Sequence, residues 1–258
     1  MIERNQSRLA DFARDLFGDQ VEVIVEVGAR DGRETRGFGL LFPRARIVSF
    51  ECNPQTLPQC REAVAVMDNA VLVEKAVSDR IGEITFYPID TDNTEPGAAS
   101  ANPGASSLLR ASGKYELETY VQRQISVPTT TLAAVMDELA LARIDLLWMD
   151  IQGAELMALQ GLGERLADVG VIHTEVEFVE IYEGQPLFAD IASHLMRRGF
   201  AFAGFTIYSK HSADAVFVNR ARFSAAKRVA ALLCNRLLLT KRLIYWRHRV
   251  KRALLGRV

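Results

Sequence analysis

Val21-Glu22-Val23-Ile24-Val25-Glu26-Val27 runs straight into Gly28-Ala29-Arg30-Asp31-Gly32, and the reading of this passage decides the architecture. A run dominated by β-branched residues suits a strand covered on both faces. Glycine ends it where the backbone must turn sharply, and a helical segment follows. Strand, glycine turn and helix together open a parallel α/β sheet, whose ligands lie beyond the carboxyl ends of its strands. With no Cβ in the way, the turn lets backbone N–H groups approach such a ligand. The spacing is Gly28-x-x-x-Gly32, and Arg33 stands where a dinucleotide fingerprint would continue with its last glycine, which disfavours a nicotinamide site. Alone, the turn is equally well explained as a tight structural connection.

Outward from there, strand-like and helix-like runs alternate to about residue 200, the pattern of a parallel sheet with helices on both faces. Residues 46–50, 71–77, 144–150 and 169–176 read as the next four strands, with helices at 54–66, 132–140, 154–160 and 188–198. Two further strands, 200–205 and 215–219, are separated only by residues 206–214, so a hairpin with an antiparallel edge is expected. Residues 83–89 and 124–131 also alternate like strands. They flank residues 92–107, rich in Pro, Gly, Ala, Asn and Ser, which read either as an active-site lid or as a solvated surface excursion.

Acidic residues collect at the strand tips. Phe50-Glu51-Cys52-Asn53-Pro54 puts a carboxylate at the end of the second strand, where it can accept from both hydroxyls of a ribose. Pro54 is placed to start the next helix. Helix capping is the plain alternative for Glu51, but its pairing with the glycine turn favours a nucleoside. The fourth strand ends in Trp148-Met149-Asp150-Ile151-Gln152-Gly153-Ala154-Glu155, and the fifth carries His173 and Glu175.

At this third motif a resemblance becomes specific. Residues 23–32, Ser49 to Pro54, Ala76-Val77-Ser78-Asp79 and Met149 to Glu155 together resemble the FkbM family of methyltransferases. Ser106-Ser107-Leu108, residues 127–132 and Arg198-Gly199-Phe200 follow in the family's order, and the likeness covers roughly residues 20–219. It implies an α/β class I methyltransferase fold of Rossmann-like type, a seven-stranded, mostly parallel sheet with an antiparallel last strand. It further implies S-adenosylmethionine as cofactor, S-adenosylhomocysteine as product, and O-methylation of a saccharide, glycolipid or other natural product. Residue by residue, the resemblance assigns Glu26, Gly28 and Gly32, with Ala29 and Asp31 between them, to the methionine end of the cofactor. It assigns Glu51 and Cys52 to the ribose, Ala76 and Val77 to the adenine edge, and Asp150 to the side of the methyl donor. Two departures stand out: members often carry Glu where this chain has Gln152, and Arg30-Asp31 replace a small or amide residue. A methyltransferase fold that has lost catalysis and serves as a binding or adaptor module is therefore the rival reading.

A hydroxyl acceptor must lose its proton, and Asp150, His173 and Glu175 are the candidate bases. His173 and Glu175 share a strand face, so both address the pocket or both miss it. The bland alternative for His173 is a buried histidine bonded to its surroundings. A divalent cation held by Asp150 and Glu175 is a further alternative, although the sequence carries no metal-ligand motif that calls for one.

Composition agrees with an enzyme domain: 258 residues, 49% hydrophobic and 24% charged, fill the range of ordinary globular proteins. Cys52, Cys60 and Cys234 have no C-x-x-C spacing and no zinc-spaced histidines, so neither a disulfide framework nor a structural zinc is indicated. The N-terminus lacks the apolar core of a signal peptide and no run of about 18 apolar residues predicts a membrane span, which points to the cytoplasm. The net charge of −1 hides an asymmetry, since residues 220–258 hold twelve Lys and Arg and no acid. The division is thus an N-terminal helix at 1–20, a catalytic domain at 21–219 and a basic tail at 220–258. Leu239, Leu243, Trp246, Val250 and Leu254 form one apolar stripe at helical spacing, with Lys241, Arg249 and Arg252 away from it. From residue 223 onward this amphipathic helix suits an anionic membrane at the inner face, self-association, or folding back on the acidic body. No base-reading motif accompanies the charge, so nucleic acid is disfavoured.

Overall fold

The computed structural model describes residues 4–93, 101–235, 238 and 240–247. β1 (Val23–Val27), β2 (Arg46–Phe50) and β3 (Ala70–Val73) run parallel, and β7 (Ile144–Met149) and β8 (Val169–Glu177) continue the sheet on the other side of β1. β10 (Ser212–Asn219) lies antiparallel between β8 and β9 (Phe200–Tyr208), completing a seven-stranded sheet in the order β3-β2-β1-β7-β8-β10-β9. The last strand is antiparallel, as expected, but it sits one place in from the edge, which β9 occupies. Its residues explain this: Ala213, Ala215, Val216 and Phe217 are all buried, which demands cover on both faces.

The strands alternate their side chains between two helical layers. On one face α1 (Arg4–Phe17), α2 (Arg33–Leu41) and α7 (Ala225–Cys234) pack Leu9, Phe12, Phe38 and Ala231 against Ile24, Ile47, Trp148 and Val216. On the other, α4 (Leu132–Glu138), α5 (Glu155–Gln160) and α6 (Phe188–Arg197) cover Val25, Val48, Leu147 and Ile172. Each fully buried residue of this kind contributes about 1.5–3 kcal/mol relative to exposure. The sheet also buries one carboxylate at its floor. Asp145 accepts from the backbone N–H groups of Glu22 and Val23 and pairs with Arg143 and Arg222, tying β7, β1 and the start of the C-terminal segment together.

Two expectations are corrected. Residues 71–77 are not one strand. The chain breaks at Glu74-Lys75, and β4 (Ala76–Val77) pairs instead with β6 (Ile125–Thr130), which with β5 (Gly82–Phe86) forms a separate three-stranded sheet. The helix expected from Pro54 begins later, as α3 (Leu57–Ala65), because the Asn53 side chain accepts from the Gln55 N–H and holds residues 53–56 in a turn.

The described part of the tail folds back on the body. Residues 240–247 are helical, and Leu238 and Tyr245 are buried, Tyr245 among Phe178, Phe188, Phe202 and Phe205. Lys241 donates to the Thr206 carbonyl and Asn235 to that of Arg8. The stripe expected to form the apolar face is different: Leu243 and Trp246 are exposed, while Leu239, Arg249, Val250, Arg252 and Leu254 lie outside the described residues. Among the described residues no helix is long and apolar enough to cross a membrane.

Candidate active site

The tips of β1, β2 and β7 meet at a cavity of about 590 Å³, within the range of small-molecule sites. The glycine turn is stitched to the neighbouring tips. The N–H groups of Gly28 and Ala29 both donate to the Phe50 carbonyl, at 3.0 and 2.9 Å, and the Asp150 N–H donates to the Val27 carbonyl. Gly28 has φ +91°, and a Cβ there would lie 2.1 Å from the Asp150 carbonyl oxygen, so the approach of β7 requires glycine.

Glu51 forms the second wall. It is nearly buried, and its carboxylate receives three backbone N–H groups: Cys52 and Asn53 at 2.8 and 2.6 Å on Oε1, and Arg30 at 2.6 Å on Oε2. Burial lifts its pKa above the usual carboxylate range, opposed by these donors. One side chain thus locks the two turns that frame the cavity.

Of the residues singled out in the sequence, Gly28, Glu51, Cys52, Ala76, Val77 and Asp150 line this cavity together. Ala76 and Val77 reach it because the third strand breaks, and with Phe86 and Leu108 they make an apolar slot. Glu26, Ala29, Asp31 and Gly32 are not in the lining. Ala29 packs on Cys60 and Val64, Asp31 pairs with Arg33, and Gly32 brings α2 against Ala63 of α3. Glu26 is fully buried beneath the turn, accepting on Oε2 from Thr35 and Ser49 at 2.5 and 2.7 Å, while its Oε1 has no partner.

Burial raises the Glu26 pKa from 4.5 to about 7, partly offset by the hydroxyls of Thr35 and Ser49. A carboxyl whose folded pKa is raised contributes stability that is fully present below its unfolded value near 4.5 and is lost as pH climbs through about 7. Glu26→Gln keeps the acceptor oxygen and removes the titration. We expect it to be about 3 kcal/mol more stable than wild type at pH 8, with the difference vanishing near pH 4.5. Urea denaturation across that range measures this, and a pH-independent difference between the two proteins would count against it.

His173 does not line the cavity either. Its Nε2 lies 2.8 Å from the Thr206 hydroxyl and its ring stacks on Trp148 with centroids 3.9 Å apart. Burial drives its pKa down to about 3, which makes the neutral imidazole a weak base. His173→Phe is accordingly expected to keep any turnover at this cavity within about threefold of wild type once folded, because the ring is not part of the lining. A loss of a hundredfold in single-turnover rate would return His173 to the mechanism.

Glu175 lies just outside the lining and acts through Gln152. The Gln152 amide nitrogen donates to Asp150 Oδ1 at 2.7 Å and Glu175 Oε2 at 2.6 Å, and its Oε1 lies 3.0 Å from the Tyr182 hydroxyl. A neutral donor between two carboxylates relieves a repulsion that a third carboxylate would add to, a physical reason for the departure at this position. That nitrogen also sits between the two carboxylates at which the alternative reading placed a cation. Among the described residues no group of three His, Cys, Asp or Glu is placed to hold a metal ion. Burial, then the charge of Asp150, holds Glu175 well above the usual carboxylate pKa.

The cavity also recruits side chains to which the sequence reading gave no cofactor-binding or catalytic role. Arg30, in the left-handed conformation at φ +52°, lines it beside residues 101–106 of the insertion. Ser106 accepts from the Asn53 side chain and Ser107 donates to the Gln152 carbonyl, so the described part of the insertion closes over the site. Glu118 and Tyr120 line the far side, with the Tyr120 hydroxyl donating to Glu118.

Comparison with known proteins bears on this geometry. A profile of the Methyltransferase FkbM domain matches residues 26–202, more than half of the chain. The chain belongs to the FkbM methyltransferase family. The 2-O-methyltransferase NoeI of Sinorhizobium fredii (strain NBRC 101917 / NGR234) is 36% identical to this FkbM chain over 165 residues, which are 63% of the chain and 66% of NoeI. The chain thus spans just under two thirds of that relative. The crystal structure of an FkbM methyltransferase from Methylobacillus flagellatus KT superposes with a TM-score of 0.50 at 10% identity, over 80% of this chain and 47% of that one, a likeness of fold alone.

Proposed function

We propose that this FkbM protein transfers a methyl group from S-adenosylmethionine to a hydroxyl oxygen of a saccharide or related natural product. The observation that carries the reading is that Gly28 and Glu51 face one cavity, the first leaving room for a ligand against the backbone and the second offering a carboxylate to a ribose. The cavity fits an adenosyl group: polar at Glu51, apolar and narrow at Ala76, Val77 and Phe86. When bound, the sulfonium supplies an electrophilic methyl group.

The chain's own residues then do three things. Glu51 orients the ribose, the apolar slot takes the base, and residues 101–106 help exclude water. Asp150, whose carboxylate is oriented by Gln152, would accept the proton of an acceptor hydroxyl seated in the cavity. Glu118, Tyr120 and Gln152 offer acceptors and donors suited to a polyhydroxylated ring. The relative NoeI, a 2-O-methyltransferase by name, supports an oxygen acceptor. A cytoplasmic enzyme placed at the inner face of a membrane would meet lipid-linked saccharides there.

Calorimetric titration with S-adenosylmethionine and with NAD, followed by mass spectrometry of a saccharide library, tests the reading. Binding of the first ligand but not the second, with gain of one methyl group on an acceptor, is expected. Absence of S-adenosylmethionine binding would favour the adaptor reading.

A further inference from the structure

A second cavity, of about 630 Å³, lies far along the sheet from the first, between α6 and β9 on one side and α7 with residues 240–247 on the other. Its lining is dominated by apolar side chains, among them Phe188, Phe200, Phe202, Val229, Tyr245 and Trp246. About half of the surface of Met196, Val229 and Trp246 is exposed at its mouth. An open apolar groove of this size calls for an occupant.

Four guanidinium groups share the lining: Arg197, Arg220, Arg228 and Arg242. Arg220 donates to the Gly199 carbonyl at 3.1 Å, Arg228 to the carbonyls of Arg220 and Phe223, Arg197 to Ser193, and Arg242 lies over the Phe202 ring. None of the four pairs with a carboxylate among the described residues. The lining therefore offers apolar surface and positive charge together, which suits a ligand that carries both an apolar chain and an anionic group. The chain's own C-terminal sequence does not meet that description. Residues 248–258 include Arg249, Lys251, Arg252 and Arg257 and no acid, so they carry the sign of the guanidinium groups.

We propose that this groove seats an acyl chain of an anionic phospholipid, its phosphate held by Arg197, Arg220, Arg228 and Arg242, and so docks the protein on an anionic membrane. Arginine suits the role because its planar fork meets phosphate in paired hydrogen bonds. Trp246 at the mouth is the residue type that settles at a headgroup boundary. The proposal goes beyond methyl transfer and is independent of it, since no residue of the groove lines the first cavity.

The test uses the full chain with phosphatidylcholine vesicles, with and without phosphatidylglycerol. We expect co-sedimentation to be at least roughly tenfold stronger with phosphatidylglycerol, and Arg197→Glu with Arg242→Glu to abolish the difference. Arg44→Glu with Arg123→Glu, the same change in net charge at exposed positions elsewhere, should retain it. Equal loss in both double variants would mean general charge attraction and would overturn the groove. The chain has two tryptophans, and Trp148 is buried, so a blue shift of fluorescence on anionic vesicles reports Trp246 and should disappear in Trp246→Phe. Thermal melts of the arginine variants matching wild type keep the result free of unfolding. Competition by soluble glycerol phosphate as strong as that by vesicles would reduce the site to a free-anion site. A concentration-dependent dimer showing the same blue shift without lipid would assign the groove to a second copy. Either result refutes the proposal.

Discussion

Glu51→Ala is expected to weaken S-adenosylmethionine binding by about a hundredfold or more and to lower the stability of the ligand-free protein by about 2–4 kcal/mol. The two effects have separate origins. Hydrogen bonds to a charged partner contribute about 1.5–3 kcal/mol each, and an adenosyl ribose brings two hydroxyls to this carboxylate, so losing even the larger of the two is worth tenfold to a hundredfold. The stability loss comes from the protein side. Without the carboxylate, the N–H groups of Arg30, Cys52 and Asn53 lose their acceptor, and the two turns it joins are freed. Those turns carry Gly28 and the end of β2, so cavity shape suffers as well, which is why the binding loss exceeds that of the ribose contacts alone. Glu51→Gln separates the two origins. It keeps one oxygen for two of the donors but turns an NH₂ toward the third, so binding should still fall at least tenfold while stability falls less. Titration calorimetry and the shift in Tm produced by saturating ligand measure both. A dissociation constant unchanged in Glu51→Ala would remove the ribose role and, with it, the chief support for the cofactor.

The parts of this site that were legible in the sequence are those set by short-range rules. Gly28 and Glu51 each sit one step past a strand, and strand tips of a parallel sheet converge whatever the details of packing. Depth along a strand is harder to read. His173 and Glu175 do share a face, but two residues along a strand is roughly 6.6 Å, enough to leave His173 against Trp148 in the core while Glu175 reaches Gln152. The break at Glu74-Lys75 was hidden for a similar reason, since residues on either side are equally apolar and only their partners, β2 and β6, differ. Glu118, Tyr120 and residues 101–106 come to the cavity through an insertion whose path no periodicity fixes. Arg30 had a signal, as a large charged residue where a small one is usual, but its purpose needed the cavity. The tail shows the limit of amphipathic stripes: Leu238 and Tyr245 are seven positions apart and define a second apolar line, and only the aromatic pocket formed by β9 and α6 decides which line is buried.

Gly28→Ala is expected to abolish measurable S-adenosylmethionine binding and to lower Tm by about 10 °C or more. Two penalties add. A left-handed backbone at φ +91° strains any residue with a side chain, by about 1–3 kcal/mol. The new Cβ would also lie 2.1 Å from the Asp150 carbonyl oxygen and 3.2 Å from Ile151 Cγ2, and neither the backbone of β7 nor that of β1 can yield without breaking the hydrogen bond from Asp150 N–H to the Val27 carbonyl. The tips must therefore separate, carrying Asp150 and its partner Gln152 away from Glu51. Two other glycines calibrate the result. Gly18 has φ +66° with nothing within 4 Å of a built Cβ, so Gly18→Ala should show the strain alone, a loss of about 1 kcal/mol with no change in affinity. Gly32 has φ +74° and its Cβ would meet Ala63 at 2.6 Å, outside the cavity, so Gly32→Ala should lose stability but retain most of its affinity. If Gly28→Ala bound ligand as well as Gly32→Ala at a temperature where both are folded, the close approach of β1 to β7 would be a packing feature, and the cofactor would have to lie elsewhere.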